Sequence, residues 1–278
     1  MPTAAGIYYA QFDEGHKDQP PIILIHGAGS SHLIWPSEIR RLVGQRVLAV
    51  DLPGHGKSTG VGLQSISSNA DQIVEFLAAL GLYQAVFVGH SMGGAIALDL
   101  AIRHPNQVAG LGLISTGAYL GVDAGFLENL INPLTIPSAL AAFRQRAFSA
   151  QANPVLVERC MQTMKETRSS VLYGDWRACA DFDVREVIAR AEAPAWVIVG
   201  GEDQLTPVAY AHFLAGRLPA ARLQILPQAG HMALLEQPTQ IAQGLQQFLA
   251  ALAAARTAAA RVRLPTPVTV STVRSKKR

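Results

Sequence analysis

Short apolar runs alternate along the chain with longer stretches of helical spacing. Pro21-Ile22-Ile23-Leu24-Ile25 is apolar without a break, as in a parallel strand buried on both faces. Arg46–Val50, Ala85–Val88, Ala195–Val199 and Arg222–Leu226 also read as strands, Val108–Ile114 as an alternating or buried one, and Ile7–Phe12 as the first. Between them, Ile66, Ile73, Phe76, Leu77 and Leu80 fall on one helical face ahead of Gly81, a residue suited to the left-handed end of a helix. Helices are also predicted from Leu33 to Val43 with Pro36 in or near the first turn, after Ser91, from Pro207 to Leu218 and from Thr239 to Ala255. Strands separated by helices of roughly ten to fifteen residues make a doubly wound, mostly parallel sheet.

From 118 to 193 the strand signal stops. Helical patches at Ser138–Phe148, Val155–Lys165 and Trp176–Cys179 remain, divided by Pro133, Pro137 and Pro154. The pattern divides the chain into a core of residues 1–117 and 194–255, a helical cap of residues 118–193 over one end of the sheet, and a tail of residues 256–278.

Composition narrows the class. With 49% apolar and 15% charged residues the chain is globular, and 278 residues suffice for a large core. The net charge of +3 misleads, because seven of the 23 basic residues lie after residue 255, where there is no acid. The remainder carries 16 basic against 20 acidic residues, a net −4, so the body makes no case for binding nucleic acid. The basic tail, with Pro265 and Pro267, is expected to be disordered or to continue the last helix. Cys160 and Cys179 have no metal-like spacing. The first residues lack a signal peptide's basic start and apolar run, and no apolar stretch approaches the ~20 residues that span a bilayer. A soluble, cytoplasmic protein is expected.

In open α/β sheets ligands bind beyond the carboxyl ends of the strands. Those ends carry His26-Gly27-Ala28, Asp51, Ser91, Ser115, Asp203 and His231. Gly89-His90-Ser91-Met92-Gly93 fits the G-x-S-x-G pattern, in which a serine at a tight strand-to-helix turn needs residues without side chains two positions away on each side. By itself the pattern fits an ordinary small-residue turn equally well. What adds weight is the order Ser…Asp…His along the chain, since other triad folds use other orders.

These pieces resemble the α/β-hydrolase superfamily, in particular its serine esterase and lipase-like members, over residues of about 7 to 250. The matching segments are the His26-Gly27 loop, Asp51-Leu52-Pro53-Gly54-His55-Gly56, the Gly89–Gly94 turn, Gly201-Glu202-Asp203 and Gly230-His231. The resemblance implies an α/β-hydrolase fold with a helical cap inserted after the sixth strand. The family's sheet usually has eight strands and seven are visible here, so the first is short or missing.

Ser91 would be the nucleophile, since a serine hydroxyl needs a base within hydrogen-bond reach. His231 would be that base, carried by a flexible Ala-Gly turn, and Asp203 would fix its tautomer. The competing reading of Asp203 is a helix cap, although Thr206 ahead of Pro207 suits that place better. Glu202 is the nearest rival, and in relatives whose acid follows the preceding strand that place is held here by Ser115 and Thr116. Backbone N–H groups of Ala28 and Met92 would form the oxyanion hole. His26, Gly27 and Trp176 are candidate substrate contacts, although His26 and His55 fit structural roles in turns better than proton transfer. His90 reads as a packing residue, and His16, His32, His104 and His212 as peripheral. Apolar cap residues such as Phe126, Phe143, Met161 and Met164 read as cap core before pocket lining, and Arg144, Arg146, Arg168 and Arg177 as solvated surface before carboxylate binders.

Serine at the turn argues against the dehalogenase and epoxide hydrolase chemistry that relatives perform with aspartate. No phosphate fingerprint or metal spacing appears, so no cofactor or metal is expected. The expected function is hydrolysis of a small to medium, largely apolar carboxylic ester through an acyl-enzyme. The alternatives are carbon–carbon bond, enol-lactone or perhydrolase-type reactions on the same triad, and a non-enzymatic ligand-binding protein that keeps the fold.

Overall fold

The computed structural model describes residues 2–13, 15 and 19–263. One sheet contains β1 (Thr3–Ala4), β2 (Ile7–Asp13), β3 (Ile22–Ile25), β4 (Arg46–Val50), β5 (Ala85–His90), β6 (Val108–Ile114), β7 (Ala195–Gly200) and β8 (Ala221–Leu226). Their order is β1-β2-β4-β3-β5-β6-β7-β8, with β1 and β2 antiparallel and all pairs from β4 to β8 parallel. The helices are α1 (Ser37–Arg40), α2 (Ile66–Ala79), α3 (Met92–Arg103), α4 (Ala124–Ile131), α5 (Ile136–Ala147), α6 (Pro154–Glu166), α7 (Ser169–Ala180), α8 (Val208–Arg217), α9 (Ala233–Glu236) and α10 (Pro238–Arg263).

The continuous apolar runs exist because both faces of the strands are covered. Ile23, Ile25, Leu48, Val50 and Phe87 point into a core shared with α2, α3 and α8. Their alternates Ile22, Leu24, Val47, Ala49 and Val88 point into a second core shared with α1 and α10. Each fully buried side chain of this size contributes roughly 1.5–3 kcal/mol of transfer free energy. The sheet is wound outward in both directions from β3, with β4 on one side and β5 on the other, so the crevice at their carboxyl ends is where a ligand belongs.

The sheet has the eight strands the family implies, and the one without a sequence signal is β1. It has two residues, too few to display a period, and it turns into β2 through Ala5 (φ 47) and Gly6 (φ 78). Both residues of such a tight hairpin need positive φ, and Ala-Gly is a weak signal for it. The helix predicted from Leu33 to Val43 is instead a 3-10 turn at His32–Ile34 and the four-residue α1. Pro36 is the cause: the residue before a proline is driven extended, and Trp35 sits at φ −78, ψ 117.

Between β6 and β7 the chain forms four helices, α4 to α7. Helix α4 has only eight residues and starts on the Asp123 side chain, which accepts from Phe126 N–H, and α7 begins seven residues before the predicted patch at Trp176. The segment's two ends meet where Tyr119 bridges Asp183 and Val184 N–H donates to Ala118 O at 2.8 Å. At the other end of the chain, α10 runs on to Arg263 instead of stopping at Ala255, as the helix propensity of its alanines favours. The rest of the basic tail, residues 264–278, and His16 lie outside the described residues. Among the described residues no helix is long and apolar enough to cross a membrane.

Candidate active site

Strand β5 ends at His90 and α3 begins at Met92, leaving Ser91 as the whole turn. Its backbone is at φ 53, ψ −116, a region that costs an L-residue on the order of 1–3 kcal/mol. Four hydrogen bonds over-determine it. Ser91 N–H donates to Ile114 O at 2.9 Å, and Ser91 O accepts from Gly94 N–H, Ala95 N–H and the Thr116 hydroxyl at 2.9, 3.2 and 2.8 Å. A Cβ on Gly89 would lie 2.1 Å from Gly93 O, and one on Gly93 would lie 2.1 Å from Ile25 O. No side chain fits at either place. The turn thus presses the start of α3 onto the end of β3, and Gly27 follows close by, where an added Cβ would lie 3.3 Å from Ser91 Cβ.

Asp203 and His231 come together from the ends of β7 and β8. His231 Nδ1 lies 3.0 Å from Asp203 Oδ2 and 3.2 Å from Oδ1. Asp203 Oδ1 also accepts from the N–H groups of Leu205 and Thr206 at 2.9 and 2.8 Å, and Oδ2 from the Thr206 hydroxyl at 2.7 Å. Thr206 Oγ1 in turn lies 3.1 Å from His231 Nδ1. Burial alone would raise the Asp203 pKa, but the His231 charge and these donors outweigh it and hold the carboxyl below the ordinary aspartate range. With oxygens on all sides of Nδ1, the imidazole proton sits there, leaving Nε2 as an acceptor.

Thr206 is therefore a partner of the pair, a role the sequence reading missed by assigning it to the cap of α8. That helix begins after Pro207 without a side-chain cap. The rival Glu202 is turned away, its Oε2 accepting from Ala150 N–H at 3.4 Å. The Ala229-Gly230-His231 turn is not loose: Gly230 N–H donates to Glu236 at 3.0 Å and Met232 N–H to Ala147 O at 3.0 Å.

Ser91, His231, Ala28 and Trp176 line one cavity of about 20 Å³, about the room one water needs. Met92 carries the first N–H of α3, which has no acceptor within the helix, and Gly27 and Ala28 line the same cavity. Trp176 closes it, stacked edge-on against Phe126 and Phe143 with centroids 4.6 and 5.9 Å away. Phe143 and Met164 also line it.

The histidines sort by their partners. His26, a candidate substrate contact, does not reach the cavity. Its Nδ1–H donates to Gly27 O at 2.8 Å, its Nε2 accepts from Leu52 N–H at 3.0 Å, and it is fully buried. Burial, reinforced by nearby His55, lowers its pKa to about 4, so it is a neutral strut between two loops. His90 does more than pack: its Nε2–H donates to His231 O at 3.0 Å, and burial first, then His231, lower its pKa to about 3. His32, expected at the periphery, is buried against Asp51, which accepts from its ring and its N–H at 2.8 and 2.6 Å. Asp51 is thereby committed to holding loops together. Ser115 is fully buried and holds positive φ at the end of β6.

One buried pair had no sequence signal. Asp175, on α7, faces His55 Nε2 at 2.8 Å and accepts from Gly29 N–H at 2.7 Å. The other ring nitrogen, Nδ1, faces Pro53 O at 3.1 Å, so both nitrogens meet oxygen acceptors and both carry protons. Burial would lower the His55 pKa, but the Asp175 charge prevails and raises it. Asp175 thus ties α7 to the loop after β4 through His55 and to the loop that carries Ala28 through Gly29 N–H. Asp175 and His55 lie 120 residues apart, and no local pattern announces such a contact.

Removing one member of a buried pair typically costs about 3–5 kcal/mol, so Asp175→Ala is expected to lose about that much in urea unfolding. A raised histidine pKa stabilises fully below the ordinary value of 6.5 and ceases to do so as the pH rises through the raised one. The gap between wild type and variant should therefore narrow at alkaline pH. A gap that widens there contradicts the charged pair.

The profile described as "Alpha/beta hydrolase family" matches residues 22–244. Among characterised proteins, the pimeloyl-(acyl-carrier protein) methyl ester esterase of Aromatoleum aromaticum is 30% identical over 250 residues, covering 81% of this chain and 96% of that protein. The 3-oxoadipate enol-lactonase 1 of Acinetobacter baylyi is 25% identical, covering 84% and 90% respectively. The chain spans only 65% of the dihydrolipoyllysine-residue acetyltransferase component of the acetoin cleaving system of Pseudomonas putida, with 29% identity over 86% of its own length. Among solved structures, a hydrolase from Pseudomonas aeruginosa PA01 superposes with a TM-score of 0.79 at 29% identity, covering 87% of this chain and 94% of that one.

Proposed function

The chain belongs to the alpha/beta hydrolase family, and from that membership we propose an ester hydrolase that works through an acyl-enzyme on Ser91. The observation that carries the proposal is the His231–Asp203 pair at 3.0 Å, whose imidazole lines the same small cavity as Ser91. Ser91 Oγ attacks the ester carbonyl carbon while His231 Nε2 takes its proton. The oxyanion that forms is met by the N–H groups of Met92 and Ala28, donors that act where negative charge develops. Collapse breaks the ester bond, and His231 returns the proton to the departing alkoxide. Water, deprotonated by His231, then releases the acid and restores Ser91. Asp203 holds the Nδ1 proton throughout and stabilises the imidazolium.

Residues 118–193 act in this reading as the cap that selects the substrate, through Phe143, Met164 and Trp176. The substrate is a small-molecule ester, apolar and of small to medium size, turned over by a soluble cytoplasmic enzyme without a cofactor, a metal or a nucleic-acid partner. The similarity to an enol-lactonase supports one neighbouring reading, a cyclic enol ester opened by the same steps.

A panel of p-nitrophenyl esters, an enol-lactone and a ring-cleavage diketone tests the choice. Esters are expected to be turned over with kcat/KM at least tenfold above the diketone. Preference for the diketone replaces the proposal with carbon–carbon bond hydrolysis. Binding without turnover of any of them replaces it with a non-enzymatic ligand-binding role.

A further inference from the structure

Two rigid peptide planes meet at Ala28, and only its φ and ψ join them. The first plane carries Ala28 N–H and is anchored from the core: its oxygen, Gly27 O, accepts from His26 Nδ1–H at 2.8 Å. The second plane carries Gly29 N–H and is anchored from a distant part of the chain. Gly29 N–H donates to Asp175 Oδ2, on α7, at 2.7 Å.

Two further contacts bring α6 and α7 onto Gly29. The Thr167 hydroxyl, between the two helices, lies 3.2 Å from Gly29 O and 3.0 Å from Thr163 O. Gly29 is buried at φ +64, and a Cβ there would lie 2.6 Å from Leu172 Cδ1 and 3.3 Å from Met164 Cε. The residue after Ala28 is thus met at its N–H, its oxygen and its Cα by side chains of one distant segment. A buried backbone N–H needs a partner, and for Gly29 that partner is a carboxylate only 1% exposed. The same oxygen faces His55 Nε2 at 2.8 Å, so the carboxylate is held in place from a second loop and does not follow the movements of the first.

We propose that Asp175 is a positioning residue of the oxyanion hole: by accepting Gly29 N–H it fixes the turn that aims Ala28 N–H at the oxygen developing on the substrate. It touches no reacting atom. This rests on Ser91 being the nucleophile of an ester hydrolase and on Ala28 being an oxyanion donor. It gives α7 a part in the rate of reaction, beyond the selection of substrate by Trp176 on the same helix.

The test titrates active sites with a fluorophosphonate, then measures kcat/KM per site for p-nitrophenyl acetate and the Ki of trifluoromethyl ethyl ketone. Ser91 Oγ adds to the carbonyl carbon of this ketone, the Oγ proton passes to His231 Nε2, and the carbonyl oxygen becomes the anion that the hole must hold. Asp175→Ala should lower kcat/KM per site about 100-fold, the cost of about 1 Å of misplacement, and raise Ki by a similar factor. Asp175→Asn should keep most of both, because Gly29 N–H and His55 Nε2–H draw its amide oxygen into the place of Oδ2. A purely structural role would reduce the number of active sites and leave both values per site unchanged.

Wild-type values per site in Asp175→Ala overturn the proposal. So does a fall in kcat/KM without a rise in Ki, or Asp175→Asn as impaired as Asp175→Ala. If Asp175→Ala does not fold, the double variant His55→Leu/Asp175→Leu decides by the same two values. Replacing both partners of a buried ion pair with apolar side chains is often neutral for folding, and Gly29 N–H still loses its acceptor. If the wild type is neither labelled nor active on esters, the Ser91 reading fails. If it is labelled and active and the variants do not respond, only the role of Asp175 fails.

Discussion

Ser91→Ala is expected to lose ester hydrolysis by roughly 10⁴- to 10⁶-fold in kcat, the range that removal of a triad nucleophile produces. The size of the effect follows from what remains. The main-chain donors at Met92 and Ala28 and the His231–Asp203 pair are untouched, but no atom forms the covalent bond, so only the electrostatic part of the catalysis is left. The fold should be unaffected. The strained conformation at Ser91 is held by its own N–H and C=O groups, and alanine keeps both. A fluorophosphonate probe should label the wild type and leave the variant unlabelled, with the same circular dichroism. Labelling that survives in Ser91→Ala assigns the nucleophile elsewhere, and an unlabelled wild type removes the assignment altogether.

The features visible in the sequence were those set by local chemistry. Strands buried on both faces must be apolar throughout, so β3 to β7 could be read directly. A turn as tight as that at Ser91 admits only glycine at Gly89 and Gly93, and the clash distances of 2.1 Å give the physical reason. Strand ends then gathered Asp203 and His231 at one edge. What escaped the sequence depends on contacts between distant residues or on elements too short to show a period. Thr206 looked like a helix cap because its hydroxyl can serve a backbone or a side chain equally, and only the fold decides which. Asp175 sits on a helix whose visible signal was apolar, and its partners His55 and Gly29 come from two other loops. His26 stood at the right strand end, but its ring is occupied by Gly27 O in its own loop and by Leu52 N–H in the loop after β4. The size of the Ser91 cavity is likewise a packing outcome of Phe143, Met164 and Trp176, which share nothing in sequence.

The sharpest separation between a catalytic and a structural Asp203 comes from Asp203→Asn, expected to lower kcat about 10⁴-fold. Asparagine is nearly isosteric and serves as well as aspartate in turns, so a residue that only shaped the turn at Leu205 and Thr206 would tolerate the change. The geometry dictates which way the amide must face. Oδ1 accepts from the N–H groups of Leu205 and Thr206 at 2.9 and 2.8 Å, so the amide oxygen has to occupy that place. Its NH₂ then replaces Oδ2, which stands 3.0 Å from His231 Nδ1 and 2.7 Å from Thr206 Oγ1. A donor against Nδ1 forces the imidazole proton onto Nε2, and the lone pair that should accept the Ser91 proton is gone. The wild-type carboxyl, held below the ordinary aspartate range, stays ionised throughout an assay from pH 5 to 9, so the loss in the variant should persist across that range instead of appearing only at its acid end. Wild-type turnover in Asp203→Asn, with unfolding unchanged, would show that the turn and not the tautomer is what Asp203 maintains.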